Sequence, residues 1–460
     1  MNKKDLLNYL ESITSEVNKV NLEIWENPEL SGEESESANL YRRVLKDKGF
    51  KIVNTPGMDH AFYAEYGSGY PVIALLGEYD ALPGLSQTVT TEFNPVEKNG
   101  PGHACGHNML GAAPFGAALA IKEYIDKTNT SGTIRFYGCP EEETLIGKGK
   151  MIQSGAFQGC DLALSWHPMA VNSAIKEAFL AMNTMKFKFH GISAHAAQSP
   201  ESGRSALDAV ELMNTGVNYM REHVIEKARI HYTITNAGGA PNIVPAEAES
   251  WYYVRAPKRK DVEDISERIY DAARGAALMT GTEVEIENLG GCYEILPNEV
   301  LFDLTYKNMN EVDLPEYSED ELKYAKDLQD TIDPKLVGLE KQKYLGRDDS
   351  DIVIYEGVVE EEDISKVVVA GSSDSGDVSW IMPMNLFITS TWPLGVANHS
   401  WQATSAAGSS VGTKGMMYAS SIFTGMVFDM LNDNSIVEKA KDEFNKRTEK
   451  NEYKSPLEGL

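Results

Sequence analysis

The sequence predicts an α/β protein of two domains: a mixed-sheet α/β domain interrupted by a smaller α+β insert in ferredoxin-like order. Three observations predict it. The chain has 460 residues, too many for one compact core. Short apolar runs that end in polar loops alternate with helical patterns, as in parallel α/β sheets. Midway along the chain the runs change to strict alternation of apolar and polar residues, the pattern of strands with one wet face.

Taken in order, residues 1–48 read as helix, with Leu6, Leu10, Ile13, Val17 and Val20 on its apolar side. In PVIALLGEYDALPG, residues 72–76 form a buried strand closed by a Pro-Gly turn. GHNMLGAAPFGAALAIKEYI is a small-residue helix that can pack closely. TIRFYGCP, followed by EEE, and DLALSWHP repeat the strand-then-loop pattern. From Asn183 the alternating block begins. TMKFKFHGISAH, helix SALDAVELMNTGVNYMREHV, strands ARIHYTITNAGG and AEAESWYYVRAP, helix VEDISERIYDAARGAALMTG and strand TEVEIENLG give strand–helix–strand–strand–helix–strand. The expected division is therefore 1–182 and 293–460 for the first domain, with 183–292 inserted. VVVAGSSDSGDVSWIMP and LFITSTWPLGVANHS return to strand-then-loop. Residues 311–363 are strongly acidic and read as a solvated surface insertion rather than a partner-binding segment.

Charge narrows the partners. A formal charge of −27 and a pI near 4.8 argue against nucleic acid and against anionic lipid. They leave room for an acidic small substrate, because a local metal or basic pocket outweighs the global field. The start of the chain has no apolar signal region, and no run approaches the ~18 apolar residues of a spanning helix. Cys105, Cys139, Cys160 and Cys292 are too scattered for a disulfide framework. The expectation is a reduced, cytoplasmic protein.

The chemistry-bearing residues gather at the ends of the apolar strands. Residues 100–108 read GPGHACGHN; Glu141, Glu142 and Glu143 follow TIRFYGCP; His167 ends DLALSWH; His399 sits in ANHS. Thiolate, imidazole and carboxylate together suit zinc or another first-row divalent ion. Of two adjacent carboxylates, one can bind metal while the other serves as general base. Taken singly, each feature has a plainer reading: a buried apolar cysteine, a solvated helix start, a core histidine, a turn. Their common position at strand ends of one α/β domain favours a site.

GEYDALPGLSQ, GPGHACGHNMLGAA, CPEEE, HGISAHAAQSP, GGAPNIVP and VANHS, in this order over about residues 1 to 430, resemble the amidohydrolase branch of the aminoacylase and glutamate carboxypeptidase metallopeptidases. The resemblance implies a zinc-peptidase-like catalytic domain with two divalent metal ions (zinc or manganese, cobalt also compatible), and an inserted lid that makes the dimer. It implies Cys105, His107, Glu143, His167 and His399 as ligands and Glu142 as general base. Asp80 matches an acid that lies behind the metal and orients a ligand. His195 matches a lid histidine that stabilises charge on the scissile carbonyl oxygen across the dimer. Asn242 and Arg255 match positions that hold the substrate's free carboxylate. Asp374 matches an acid near the metals, with Asp377 a competing assignment.

Two departures stand out. Glu78-Tyr79-Asp80 replaces the His-x-Asp of sister branches, with Cys105 as the compensating ligand; and Thr144-Leu145-Ile146 follows the glutamates where relatives carry glycines, which reshapes the pocket mouth. The implied activity is a metal-dependent amidohydrolase acting on N-acyl or N-aroyl amino acids with a free carboxylate, p-aminobenzoyl-glutamate first among them. The alternatives are a dipeptidase or general aminoacylase on the same scaffold, or a non-catalytic partner subunit. The chain is expected to form a homodimer through the lid or a heteromer with a homologous chain.

Overall fold

A computed structural model describes residues 1–176, 179–346, 351–361 and 371–458. Among them eleven strands run in chain order: β1 Lys51–Asn54, β2 Phe62–Ser68, β3 Val72–Glu78, β4 Gly132–Cys139, β5 Leu162–Met169, β6 Ser173–Ala174, β7 Ala181–His190, β8 Arg229–Asn236, β9 Glu247–Ala256, β10 Glu283–Cys292 and β11 Met384–Ser390. The chain divides into two compact units, Met1–Ala178 with Leu296–Val369 and Val378–Tyr453, and Phe179–Ile295 with Ala370–Asp377 and Lys454–Leu460.

The first unit holds a seven-stranded mixed sheet in the order β1-β2-β4-β3-β5-β11-β6. Its centre, β4-β3-β5-β11, is parallel, and the pairs outside it are antiparallel. The central strands are buried on both faces, which explains the continuous apolar run of β3. Helix His107–Thr128 is buried along most of its length, and its small residues let it lie close to the sheet. A Cβ at Gly111 would come within 2.6 Å of the Glu78 carbonyl oxygen. Trp166 Nε1 donates to the Leu110 carbonyl at 3.1 Å and ties this helix to β5.

The N-terminal stretch is three helices, Lys3–Ser12, Thr14–Glu26 and Ser35–Asp47, rather than a continuous one. The acidic segment is more ordered than its composition suggests. Ser318 and Glu321 form a capping box that starts helix Glu319–Gln329, and helix Pro334–Leu345 follows. Ala325, Leu328, Val337 and Tyr344 bury one side of these helices, while Glu319 and Asp320 stay exposed. The expected strand at VVVA lies outside the described residues. No helix among the described residues is long and apolar enough to cross a membrane.

The second unit is a four-stranded antiparallel sheet in the order β10-β7-β9-β8. Placing the second strand at the edge and the first beside the fourth is the ferredoxin-like arrangement. Helices Ala206–Met220 and Arg259–Thr280 share one core with Met185, Phe187, Phe189, Tyr252 and Val254 of the sheet. The intervening Lys186 and Lys188 pair with Glu249 at 3.4 Å and Glu287 at 2.6 Å. This is the alternation read from the sequence.

Candidate metal centre

The carboxyl ends of β3, β4 and β5 carry or lead into a cluster of thiol, imidazole and carboxylate groups, as expected for a parallel α/β sheet. Gly106 delivers the loop after β3 into this cluster. It adopts φ +76°, a left-handed conformation that glycine accepts readily, and a Cβ there would meet Pro168 at 3.0 Å. Cys105 lies before this turn and His107 opens the helix after it. Of the two histidines in GPGHACGHN only His107 faces the cluster. His103 turns its Nε2 to the Ile24 carbonyl at 3.2 Å, and burial pushes its pKa down to about 3.

Cys105 Sγ lies 3.4 Å from His167 Nε2. His107 Nε2 faces Glu142 Oε2 at 3.8 Å and Glu143 Oε1 at 4.0 Å. The other oxygen of Glu143 faces His399 Nε2 at 3.5 Å. Glu143 thus presents its two oxygens to different partners, which suits two cations side by side. Donors bonded to one tetrahedral ion at about 2.0–2.3 Å lie roughly 3.3–3.8 Å apart, close to these separations. Three sets of potential donors lie within 4.8 Å of one another: Cys105-His107-His167, Cys105-Glu143-His399 and Glu78-His107-Glu142. All six residues read as ligands or base from the sequence come together in one unit, and Glu78 joins them.

Asp80 stands behind His107. Its Oδ1 accepts from His107 Nδ1 at 2.8 Å, and its Oδ2 accepts from Ser31 Oγ and from the Glu143 amide, each at 2.8 Å. The bond to Nδ1 leaves Nε2 aimed at the cluster, the arrangement that orients a histidine for metal. Burial would raise the Asp80 carboxyl, but the His107 charge and these hydrogen bonds hold it down to about 2.

The third glutamate points elsewhere. Glu141 pairs with Lys150 at 2.6 Å, and its amide donates to Glu34 Oε1 at 2.8 Å. The backbone is strained around the site: Glu141, Leu145 and His399 have φ of +61°, +58° and +62°. The Glu-Glu turn is shaped by Thr144-Leu145-Ile146 rather than by glycines, and the Leu145 amide donates back to the Glu142 carbonyl at 2.7 Å. His399 is tied by its amide to the Ala104 carbonyl at 2.9 Å, which joins the loop after β11 to the Cys105 loop.

The donor set fits divalent metal on three counts. His107 Nε2 and Glu143 Oε1 are buried without a hydrogen-bond partner. Glu34, Glu78, Asp80 and Glu142 are all buried, and Lys148 is buried against Glu78. Burial pushes Glu34 up to about 8 and Glu143 up to about 7, and Cys105 up to about 12. A pocket with this excess of carboxylate calls for cations to offset the desolvation.

The remaining sequence-predicted residues lie in the second unit. His195 is exposed on the loop after β7, bridged to Ile243, and the Ala196 amide donates to the Asn242 carbonyl at 3.0 Å, so His195 and Asn242 are neighbours. His195 Nδ1 accepts from the Ala197 and Gln198 amides at 3.2 Å, which leaves the ring proton on Nε2. Arg255, on β9, has a buried Nε without a hydrogen-bond partner. Asp374 and Asp377 are both buried, and Asp377 accepts from the Tyr293 amide at 3.4 Å.

Sequence reasoning missed Glu78, Lys148, Ser31 and Glu34. The signal for Glu78 was its place at the end of β3, two residues before Asp80. The other three carried none.

Comparison with known proteins agrees with this geometry. The profile described as Peptidase family M20/M25/M40 matches residues 74–321. A subunit of the p-aminobenzoyl-glutamate hydrolase of Escherichia coli is 40% identical over 451 residues, covering 95% of this chain and 93% of that protein. The Xaa-Arg dipeptidase of Mus musculus is 31% identical over 311 residues, covering 65% of this chain and 68% of that protein. Among solved structures, a dinuclear metal-binding peptidase of family M20 from Bacillus subtilis superposes with a TM-score of 0.61 at 18% identity, over 92% of this chain and 99% of that one. The strand-end cluster, the two-unit fold and these matches agree: the chain belongs to peptidase family M20/M25/M40 and is a metal-dependent amidohydrolase.

Proposed function

We propose that the chain hydrolyses the amide of N-acyl or N-aroyl amino acids that keep a free carboxylate, with p-aminobenzoyl-glutamate the first candidate. The observation that carries this reading is the convergence of Cys105, His107, Glu142, Glu143, His167 and His399 at the strand ends of one unit. Its similarity over nearly the whole chain to one component of a p-aminobenzoyl-glutamate hydrolase supports the substrate. Cys105, His107, Glu143, His167 and His399 would hold two divalent ions, zinc or manganese, with cobalt compatible. Such ions polarise the scissile carbonyl and make water a stronger nucleophile at neutral pH.

The chain's own residues do the rest. Glu142 takes the proton of the attacking water and returns it to the leaving nitrogen. Asp80 holds His107 in the tautomer that presents Nε2. His195, with its proton on Nε2, donates to the oxyanion that develops on the carbonyl oxygen. Arg255 and Asn242, on the lid formed by residues 183–292, hold the substrate carboxylate. The protein works in the cytoplasm, as a homodimer through the lid or beside a homologous chain. That the E. coli relative is one subunit of its hydrolase supports the second arrangement.

A dipeptidase reading has its own support in the Xaa-Arg dipeptidase relative. One experiment separates the readings: amino-acid release from p-aminobenzoyl-glutamate, acyl amino acids and dipeptides, with and without chelator. Chelator-sensitive release led by p-aminobenzoyl-glutamate is the expected result. Preference for dipeptides moves the assignment to the dipeptidase. No release by metal-loaded protein points to the non-catalytic partner role.

A further inference from the structure

Glu78 and Lys148 form a salt bridge deep in the first unit. Lys148 Nζ lies 2.5 Å from Glu78 Oε1, with side chains 0% and 2% exposed. Glu78 is the last residue of β3, and Lys148 is the second residue of the short helix Gly147–Gln153. The helix start is brought close by Gly147, where a Cβ would collide with the Pro140 carbonyl oxygen at 1.8 Å. The second oxygen of Glu78 is aimed at the metal cluster. Oε2 lies 3.5 Å from His107 Nε2, nearer than Glu142 at 3.8 Å or Glu143 at 4.0 Å.

A purely structural ion pair has no need of this aim. Two buried opposite charges satisfy each other, and apolar replacements of such pairs are often neutral. Here the carboxylate is split between two directions, and the imidazole nitrogen opposite its second oxygen is buried without a hydrogen-bond partner. A separation of 3.5 Å between a carboxylate oxygen and an imidazole nitrogen suits two donors sharing one cation.

We propose that Glu78 is a further ligand, sharing with His107 the cation on that side of the cluster, beside the general base Glu142. Lys148 engages one oxygen, keeps the carboxylate monodentate, and offsets part of the charge that a further carboxylate brings. The chain thus fills with a carboxylate the place where sister branches carry His-x-Asp, instead of leaving Cys105 to compensate alone. The Lys148–Glu78 pair sets both the direction and the charge of that ligand.

The inference rests on the two-metal reading, so the test measures metal rather than turnover. Purified chain is dialysed against chelator-buffered manganese or zinc, and metal per chain is determined by atomic emission. The wild-type chain is expected to hold two ions. Glu78→Gln should weaken one of them on the order of tenfold or more and spare the other. Because this variant leaves Lys148 buried without its carboxylate, the double variant Glu78→Gln/Lys148→Met is measured beside it. It should unfold without metal at the wild-type temperature, yet keep the metal defect. A folded double variant that binds both ions with wild-type affinity overturns the proposal and makes the pair structural only. A wild-type chain that binds no metal overturns the two-metal reading itself, and the proposal with it.

Discussion

Asp80→Asn removes one charge and one acceptor from a residue that accepts three hydrogen bonds. Oδ1 serves His107 Nδ1, while Oδ2 serves both Ser31 Oγ and the Glu143 amide. An asparagine offers one oxygen and one NH2 group. If the NH2 faces the helix, His107 must accept at Nδ1 and place its proton on Nε2, where the metal must bind. If it faces the loop, the Glu143 amide meets a donor and stays buried and unpaired. Either way one charge-assisted hydrogen bond is lost, about 1.5–3 kcal/mol. That is roughly a 10- to 100-fold fall in metal affinity, the range typical of groups behind a ligand histidine. Competition with a chromophoric chelator at neutral pH reads this directly, and circular dichroism of both proteins checks that the fold is kept. Wild-type metal affinity in a folded Asp80→Asn chain refutes the orienting role.

Three further outcomes follow from the same geometry. Glu142→Gln should keep bound metal and fold but lose ~10²–10⁴-fold in kcat, since the amide cannot take the proton; turnover near wild type removes Glu142 as the base. His195→Ala should lower kcat by ~10²–10³ without changing metal content, and an effect on KM alone would show binding rather than oxyanion stabilisation. Burial pushes Glu340 up to about 7 although it accepts from the Gly395 amide. An acid raised on folding stabilises the protein fully below its unfolded value and loses that contribution as pH rises through its folded value. Stability should therefore fall between about pH 4.5 and 7. Glu340→Gln should abolish that fall and be roughly 1–3 kcal/mol more stable than wild type at pH 8, read by thermal unfolding; equal melting at pH 8 rules this out.

Sequence reading was strongest where the signal is local. Alternation in TMKFKFH and WYYVRA marked strands whose faces the structure sorts into Phe187 and Tyr252 on the helical core and Lys186 and Lys188 among ion pairs. The continuous apolar run before Glu78 and the strand-then-loop pattern of TIRFYGCP marked central strands. It was weaker where caps and loops decide. The break at Ile13 separates two N-terminal helices whose apolar spacing runs on across it. The acidic segment hides helices whose buried side is carried by a few residues such as Leu328 and Tyr344.

By itself, the sequence determined the class of fold, the strand-end positions of the thiol, imidazole and carboxylate groups, and, through their resemblance to a metallopeptidase family, the chemistry to expect. Those are properties of composition and short-range spacing. Only the tertiary structure decided which groups meet. It turned His107 inward and His103 toward Ile24, sent Glu141 to Lys150, and brought Cys105 beside His167 and Glu143 beside His399. It also buried Lys148 against Glu78, against the usual preference of lysine for water. The physical reason is that the order and register of a parallel sheet set distances between residues far apart in the chain, and no local pattern encodes that register.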